Sequence, residues 1–415
     1  MKFLRVIATL DPRHGGPAAG LRAITPALAA LGHETTFVSM DAPAEAASFA
    51  PAAPLHALGP ARNGYAYSRR LEPWLREHAP EFDAVFVHGL WQYHGRAVRR
   101  ALRGRGIPYF VFPHGMLDPW FRRAHPLKHA KKWAYWQVCE RLVLRDAAAV
   151  CFTCDEERRL AEKTFRPYRC TTRVVAYGTS APDPEDADQH LAKWRSVAPP
   201  GGRPFWLFLG RIDPKKGVDV LLRAYARIAA EGDAQLPALV LAGPCSDPNY
   251  RSSLDAAVRR LPPNAHVFWP GMLQGAAKWG ALRAAEAFIL PSHQENFGIA
   301  VVEALAVGSP VLISRQINIW KEIVDAGAGL AATDDVDGAV ALLHRWRATP
   351  PDRRSSMQSA AHDLFETRYE INRAARSLAE TVRPFVSGPD AGAHMPGRAL
   401  LSPPAPAAAP PRFSR

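Results

Sequence analysis

Short apolar runs bounded by glycine, proline or aspartate alternate with longer stretches of mixed polarity along most of the chain. The run "FLRVIATL" (3–10) predicts a buried strand, and "DPRHGGP" a glycine-bearing loop. "AAGLRAITPALAALG" then predicts a helix that stops at Gly32, and "ETTFVSM" a second strand. Strand, helix, strand in this order is a βαβ unit. Further strands are predicted at 82–88, 107–114 and 147–153. The loop "GTSAPDPEDAD" (178–188), rich in Pro and Asp, interrupts the rhythm. It restarts with apolar runs at 204–210, 237–243, 265–271, 285–292 and 309–314.

Strands that alternate with helices form parallel sheets covered on both faces. The fold class expected is therefore α/β, with two doubly wound Rossmann-like domains facing across a cleft. The boundaries expected are 1–180 for the first domain, 181–202 for a linker and 203–368 for the second domain. The amphipathic stretch 369–386 would cross back to the first domain. Residues 387–415, dominated by Pro and Ala, carry too little apolar bulk to fold.

Composition narrows the class. With 47% hydrophobic and 22% charged residues, the 415-residue chain reads as an ordinary soluble globular protein. No apolar run approaches the roughly 18 residues of a spanning helix, and the N-terminus lacks a signal-peptide plan, so a cytoplasmic location is expected. A net charge of +13 either attracts an anionic partner or reflects an Arg-rich composition. Nucleic acid is not expected, because the basic residues are dispersed and no recognisable binding module is present. Five cysteines with irregular spacing include one C-x-x-C, Cys151 and Cys154, without a second pair at zinc-site spacing. They read as structural.

The chemistry concentrates in "ILPSHQENFGIAVVEALAVGSPVLIS". Between Glu295 and Arg315 its only charged side chain is Glu303. The segment reads as strand, loop, helix, glycine stop and strand. Glu295 falls in the loop and Phe297, Gly298 and Ile299 at the helix start, where free N–H groups favour an anion. Arg211 and Lys216, in "GRIDPKKGVDVLL", follow the first strand of the second domain, at the sheet end where such folds bind ligands. Two cations there suit a diphosphate. Taken singly, each feature also fits a capping Glu295, a salt-bridged Glu303 or an exposed basic turn.

Together with "GAGLAATDDVDGAVALL" (327–343), these blocks resemble family 4 of the retaining glycosyltransferases, which have the two-domain GT-B fold and an E-x7-E motif. The resemblance covers about residues 1–385. It implies that Arg211 and Lys216 hold the donor diphosphate, Glu295 the transferred sugar and Glu303 the ribose. Backbone groups of Phe297, Gly298 and Ile299 would touch sugar and phosphate. Gly15 and Gly16 match the family's glycine loop, and His114 the histidine facing the donor sugar; His14, His88 and His94 are weaker candidates. "FVFPHGMLDPWF" (110–121) resembles a subset from bacterial exopolysaccharide and O-antigen assembly. The implied reaction is metal-independent transfer of a hexose, with retention, from a GDP- or UDP-linked sugar to a lipid-linked saccharide acceptor. No cofactor is implied, and the acidic run "TDDVDG" reads as a helix cap.

The stretch 120–145 interleaves cations with aromatic residues and has one acid, Glu140. Lys128, Lys131, Lys132, Trp133 and Trp136 form either a docking surface for the anionic inner face of the cytoplasmic membrane or a solvated helix face. A sugar-nucleotide epimerase, a phosphorylase and a non-catalytic scaffold are the competing functions for such a cleft.

Overall fold

In the computed structural model, residues 1–11, 16–49, 52–61, 63–198 and 202–387 are described. Gly15 and His14 lie outside them, as does the C-terminal stretch after Ser387.

The first domain is built on seven parallel strands: β1 (Lys2–Ile7), β2 (Glu34–Ser39), β3 (Leu55–Ala57), β4 (Ala84–His88), β5 (Tyr109–Phe112), β6 (Ala149–Phe152) and β7 (Thr172–Val174). Their order is β3-β2-β1-β4-β5-β6-β7. The direction of winding reverses between β1 and β4, whose last residues Ile7 and His88 pair in register. Loops diverge at such a point and leave a crevice at the carboxyl ends.

The second domain repeats the plan with six parallel strands: β8 (Phe205–Leu209), β9 (Ala238–Ala242), β10 (Val267–Gly271), β11 (Ala287–Leu290), β12 (Val311–Ser314) and β13 (Gly329–Ala332). The order is β10-β9-β8-β11-β12-β13, so the reversal lies between β8 and β11. Arg211 and Lys216 follow β8, and Glu295 follows β11. The two loops flank one crevice.

Three strands, β3, β7 and β13, were not marked by the sequence pattern, and all three are sheet edges. An edge strand has one neighbour and is partly solvated, so it lacks the continuous apolar run of a central strand. A correction also applies to the expected linker. Residues Ala187–Arg195 form a helix whose Trp194 belongs to the second domain's core. That helix packs against helix Gly275–Ala284 so closely that a Cβ on Gly280 would meet the His190 carbonyl at 2.0 Å.

The chain crosses between the domains twice at one place, where Thr179 N–H donates to the Tyr369 carbonyl at 3.0 Å. Helix Ile371–Ser387 then returns to the first domain. Its buried residues Ile371, Ala374, Ala375, Leu378 and Val382 recur at helical spacing. They join Phe3, Ile24, Leu28, Phe86 and Phe110 in one core, and Phe385 meets Phe110 edge-on with ring centres 5.4 Å apart. Each large apolar side chain fully buried there contributes roughly 1.5–3 kcal/mol.

Candidate functional site

The loop after β8 turns at Gly217, which has φ +69° and caps helix Val218–Ala229. A Cβ there would lie 2.4 Å from the Pro291 carbonyl, so glycine lets this turn touch the end of β11. The contact is reinforced by the His293 N–H donating to the Lys215 carbonyl at 2.8 Å. Lys216 is thereby brought onto Glu295, and the two form an ion pair with both side chains mostly buried. Arg211 stays exposed, with its guanidinium 3.9 Å from Asp213.

Glu295 is itself fixed through its backbone: its N–H donates to the Gln316 carbonyl at 3.0 Å and its carbonyl accepts from Asn318 N–H at 3.1 Å. Gly298, with φ +77°, caps helix Ile299–Ala306, whose first N–H groups have no intrahelical acceptor. Glu303, one turn into this helix, accepts from Lys278 Nζ at 2.7 Å, and Lys278 lies over the Trp279 ring at 4.2 Å. The crevice thus holds two lysine–glutamate pairs beside an open helix N-terminus. Lys278 was not among the residues expected, and its short context "AAKWG" gives no sign of it.

On the opposite wall, His114 follows β5 with φ +50°, a left-handed conformation uncommon for a residue other than glycine. Its Nε2 lies 3.1 Å from Nδ1 of His88, and the two rings stack with centres 5.4 Å apart. His94 Nε2–H donates to the His88 carbonyl at 3.0 Å. Beneath them Arg5, 2% exposed, lies over the Phe86 ring at 5.2 Å. Burial, aided by the Arg5 charge, pushes His114 down to about 4. Burial first, then Arg5 and the neighbouring histidines, also drives His88 well below the usual range. At neutral pH these imidazoles are uncharged. Gly16 begins helix Gly16–Ala30, and a Cβ on it would meet nothing within 4 Å.

Direct contacts join the two walls. Gln294 Nε2 donates to Asp118 Oδ2 at 3.1 Å, and Asn296 Nδ2 to Thr153 Oγ1 at 3.2 Å. Thr153 in turn donates to the buried Glu157, which also accepts from Gly115 N–H at 2.7 Å. The Phe297 ring is buried edge-on between Tyr177 (4.9 Å) and Tyr369 (5.6 Å), next to the chain crossing. Only the Phe297 backbone is left for a ligand. A cavity of about 540 Å³ beside the crossing is lined by Tyr177, Glu322, Tyr369 and Arg376, and by none of the paired lysines and glutamates.

Two further expectations meet a correction. Trp136 is 1% exposed and stacks on Phe165 at 5.1 Å, so it belongs to the core and not to a docking surface. Lys132 is half-buried over Trp91 (4.9 Å) and Phe121 (5.4 Å), not displayed outward. The acidic run "TDDVDG" does cap a helix: Asp335 accepts from Gly338 N–H at 2.7 Å. Cys151 and Cys154 are buried free thiols.

Two doubly wound parallel-sheet domains, set carboxyl edge to carboxyl edge over a shared crevice, define the GT-B class of sugar-transfer folds. The family model described as "Glycosyl transferase 4-like domain" matches residues 15–178, and "Glycosyl transferases group 1" matches 192–363. The two models together span most of the chain, which is thus a GT-B glycosyltransferase with a 4-like first domain and a group 1 second domain. It is 29% identical over 237 residues to a D-inositol 3-phosphate glycosyltransferase of Kineococcus radiotolerans, covering 54% of each chain. It is 27% identical over 218 residues to the O-antigen chain mannosyltransferase C of Escherichia coli, covering 51% of this chain and 50% of that one. The chain thus spans about half the length of these curated relatives. Its fold resembles Anabaena HepE, solved with UDP and glucose, with a TM-score of 0.69 at 18% identity over 92% of this chain and 99% of that one.

Proposed function

We propose that the chain transfers a hexose, with retention, from a GDP- or UDP-linked sugar to a saccharide acceptor. We further propose that the acceptor is polyprenyl-diphosphate-linked and serves exopolysaccharide or O-antigen assembly. The observation that carries the donor reading is the crevice with Lys216–Glu295 at one end and Lys278–Glu303 at the other, beside the free N–H groups of helix Ile299–Ala306. The named activities of the Kineococcus and Escherichia relatives support sugar transfer and, for the second, an O-antigen acceptor.

In this reading Lys216, Arg211 and the helix amides stabilise the departing diphosphate, so charge development needs no metal. The bond from the anomeric carbon to the diphosphate breaks while the acceptor oxygen bonds on the same face. The acceptor proton passes to the departing phosphate oxygen. Glu295 orients the sugar hydroxyls and Glu303 the ribose, and neither forms a covalent bond. Gly15 and Gly16 admit the donor phosphates and acceptor, and neutral His114 faces the sugar.

Membrane docking is proposed for the outer face of residues 120–138. Leu127, Trp133 and Val138 are 87%, 52% and 73% exposed, among the exposed cations Arg122, Arg123 and Lys131. Apolar side chains this open, ringed by positive charge, suit an anionic bilayer surface. No helix of the described residues is long and apolar enough to cross a membrane.

The test is a nucleotide-sugar panel in EDTA with polyprenyl-diphosphate-linked saccharides, read by mass spectrometry. A glycolipid formed from one donor, absent with Glu295→Ala, is expected. Failure to consume any donor would contradict the proposal.

A further inference from the structure

Beside the crevice, on the first domain, a small cavity of about 40 Å³ is lined by Met116, Asp118, Phe121, His125, Lys128, His129, Lys132, Thr164 and Phe165. That space is enough for a small ion or a few waters. Its position is set by the interdomain contacts. Asp118 holds Gln294, and Lys215, neighbour of Lys216, lies over Phe121 at 5.6 Å and Trp120 at 5.9 Å. Anything in this cavity sits next to the two loops that carry Lys216 and Glu295.

The charge around the cavity is one-sided. Lys128 and Lys132 make no ion pair among the described residues, and neither His125 nor His129 meets a carboxylate there. The one acid in the wall, Asp118, is already engaged, with Oδ1 accepting from Trp120 N–H at 2.8 Å and Oδ2 from Gln294. The Lys132 ammonium is held in place by two rings, Trp91 and Phe121, and the His129 ring by stacking on Phe165 at 4.7 Å. Behind Lys132, burial pushes the Glu140 carboxyl up to about 8, while the Trp91 backbone and the Lys132 charge draw it back. Lys132, positioned by aromatic faces and outside ion-pair distance of any carboxylate among the described residues, with the exposed Lys128 beside it at the cavity, suits an anion.

We infer that Lys132, with Lys128, His125 and His129, binds a phosphate group of the acceptor in this cavity. The inference rests on the transferase reading and deepens it: the acceptor is a phosphate ester or diphosphate, not a neutral sugar. It also divides the basic stretch by function. Lys132 faces the acceptor, while Lys131 and the apolar residues around it face outward.

The test uses the full chain and inorganic phosphate, followed by phosphorus NMR with the donor site saturated by whichever of UDP and GDP binds. Lys132→Met is expected to weaken phosphate binding by about tenfold or more, the loss of one charge-assisted contact, and Lys132→Arg to restore most of it. Lys131→Met serves as the control and leaves phosphate binding unchanged. Phosphate affinity unchanged in Lys132→Met, or no phosphate binding by the natural chain, would overturn the inference. Nucleotide binding in the same samples reads the transferase assignment separately. Displacement of phosphate by a hexose phosphate or by a prenyl diphosphate supports the pocket, and the stronger competitor names the source. Displacement by neither overturns it.

Discussion

Gln294, the residue before Glu295, donates its side-chain amide to Asp118 across the domain interface at 3.1 Å, with both side chains nearly buried. The loop that carries the proposed sugar ligand is thereby tied to the wall that carries the acceptor cavity. A buried hydrogen bond to a carboxylate stabilises its partners by about 1.5–3 kcal/mol. Gln294→Ala is accordingly expected to lower kcat/KM by about tenfold or more while the thermal midpoint moves by only a few degrees. Steady-state kinetics beside a thermal melt checks this, and an unchanged kcat/KM would show that the bond plays no part in assembling the site.

Gly16 offers a test free of steric side effects. A Cβ there would meet nothing, and alanine favours a helix over glycine. Gly16→Ala should keep or slightly raise the melting temperature while weakening donor binding, because the methyl group fills space proposed for the donor phosphates. A melt with nucleotide titration separates these, and unchanged donor affinity would remove Gly16 from the site.

Lys278 and Glu303 form a largely buried pair, so removing one partner strands the other. Lys278→Met should destabilise the fold by about 1–3 kcal/mol, and adding Glu303→Leu should recover part of that loss. Urea unfolding of the single and double variants checks the coupling. If the double variant loses the sum of the two single losses, the residues act independently.

The buried histidines set an acid limit. His94 and His114 are each held near 4, chiefly by burial, against an ordinary value of 6.5. Between these values the unfolded chain binds the protons, so stability is present above pH 6.5 and is lost as pH falls toward 4, by roughly 3 kcal/mol for each histidine. His94→Gln should flatten that loss in urea melts taken from pH 7 to pH 4. An unchanged slope would assign the acid sensitivity to other groups.

How much of this was legible in the sequence depended on where each residue sits. Central strands such as β8 and β11 are buried on both faces and read as continuous apolar runs, whereas β3, β7 and β13 at the edges do not. Lys216 and Glu295 were visible because each follows a strand whose place in the winding fixes its loop at the crevice. Lys215, Lys278 and the Asp118–Gln294 contact were not, because their partners come from elements distant in sequence. Trp136 was misplaced for a local reason. Helix Pro126–Tyr135 buries no residue, and the buried face shifts at the π-helical turn Trp136–Glu140, where Trp136, Cys139 and Glu140 lie inward. Interleaved cations and aromatic rings do not reveal that shift.

The central claim is that Glu295 and Glu303 hold different parts of one nucleotide sugar, and calorimetric titration of the two glutamine variants tests it most directly. Glu295→Gln is predicted to weaken the nucleotide sugar by about tenfold while leaving the free nucleoside diphosphate bound as before. Glu303→Gln is predicted to weaken both. If the two variants bind both ligands as the natural chain does, the carboxylates are structural and the account of the site is wrong.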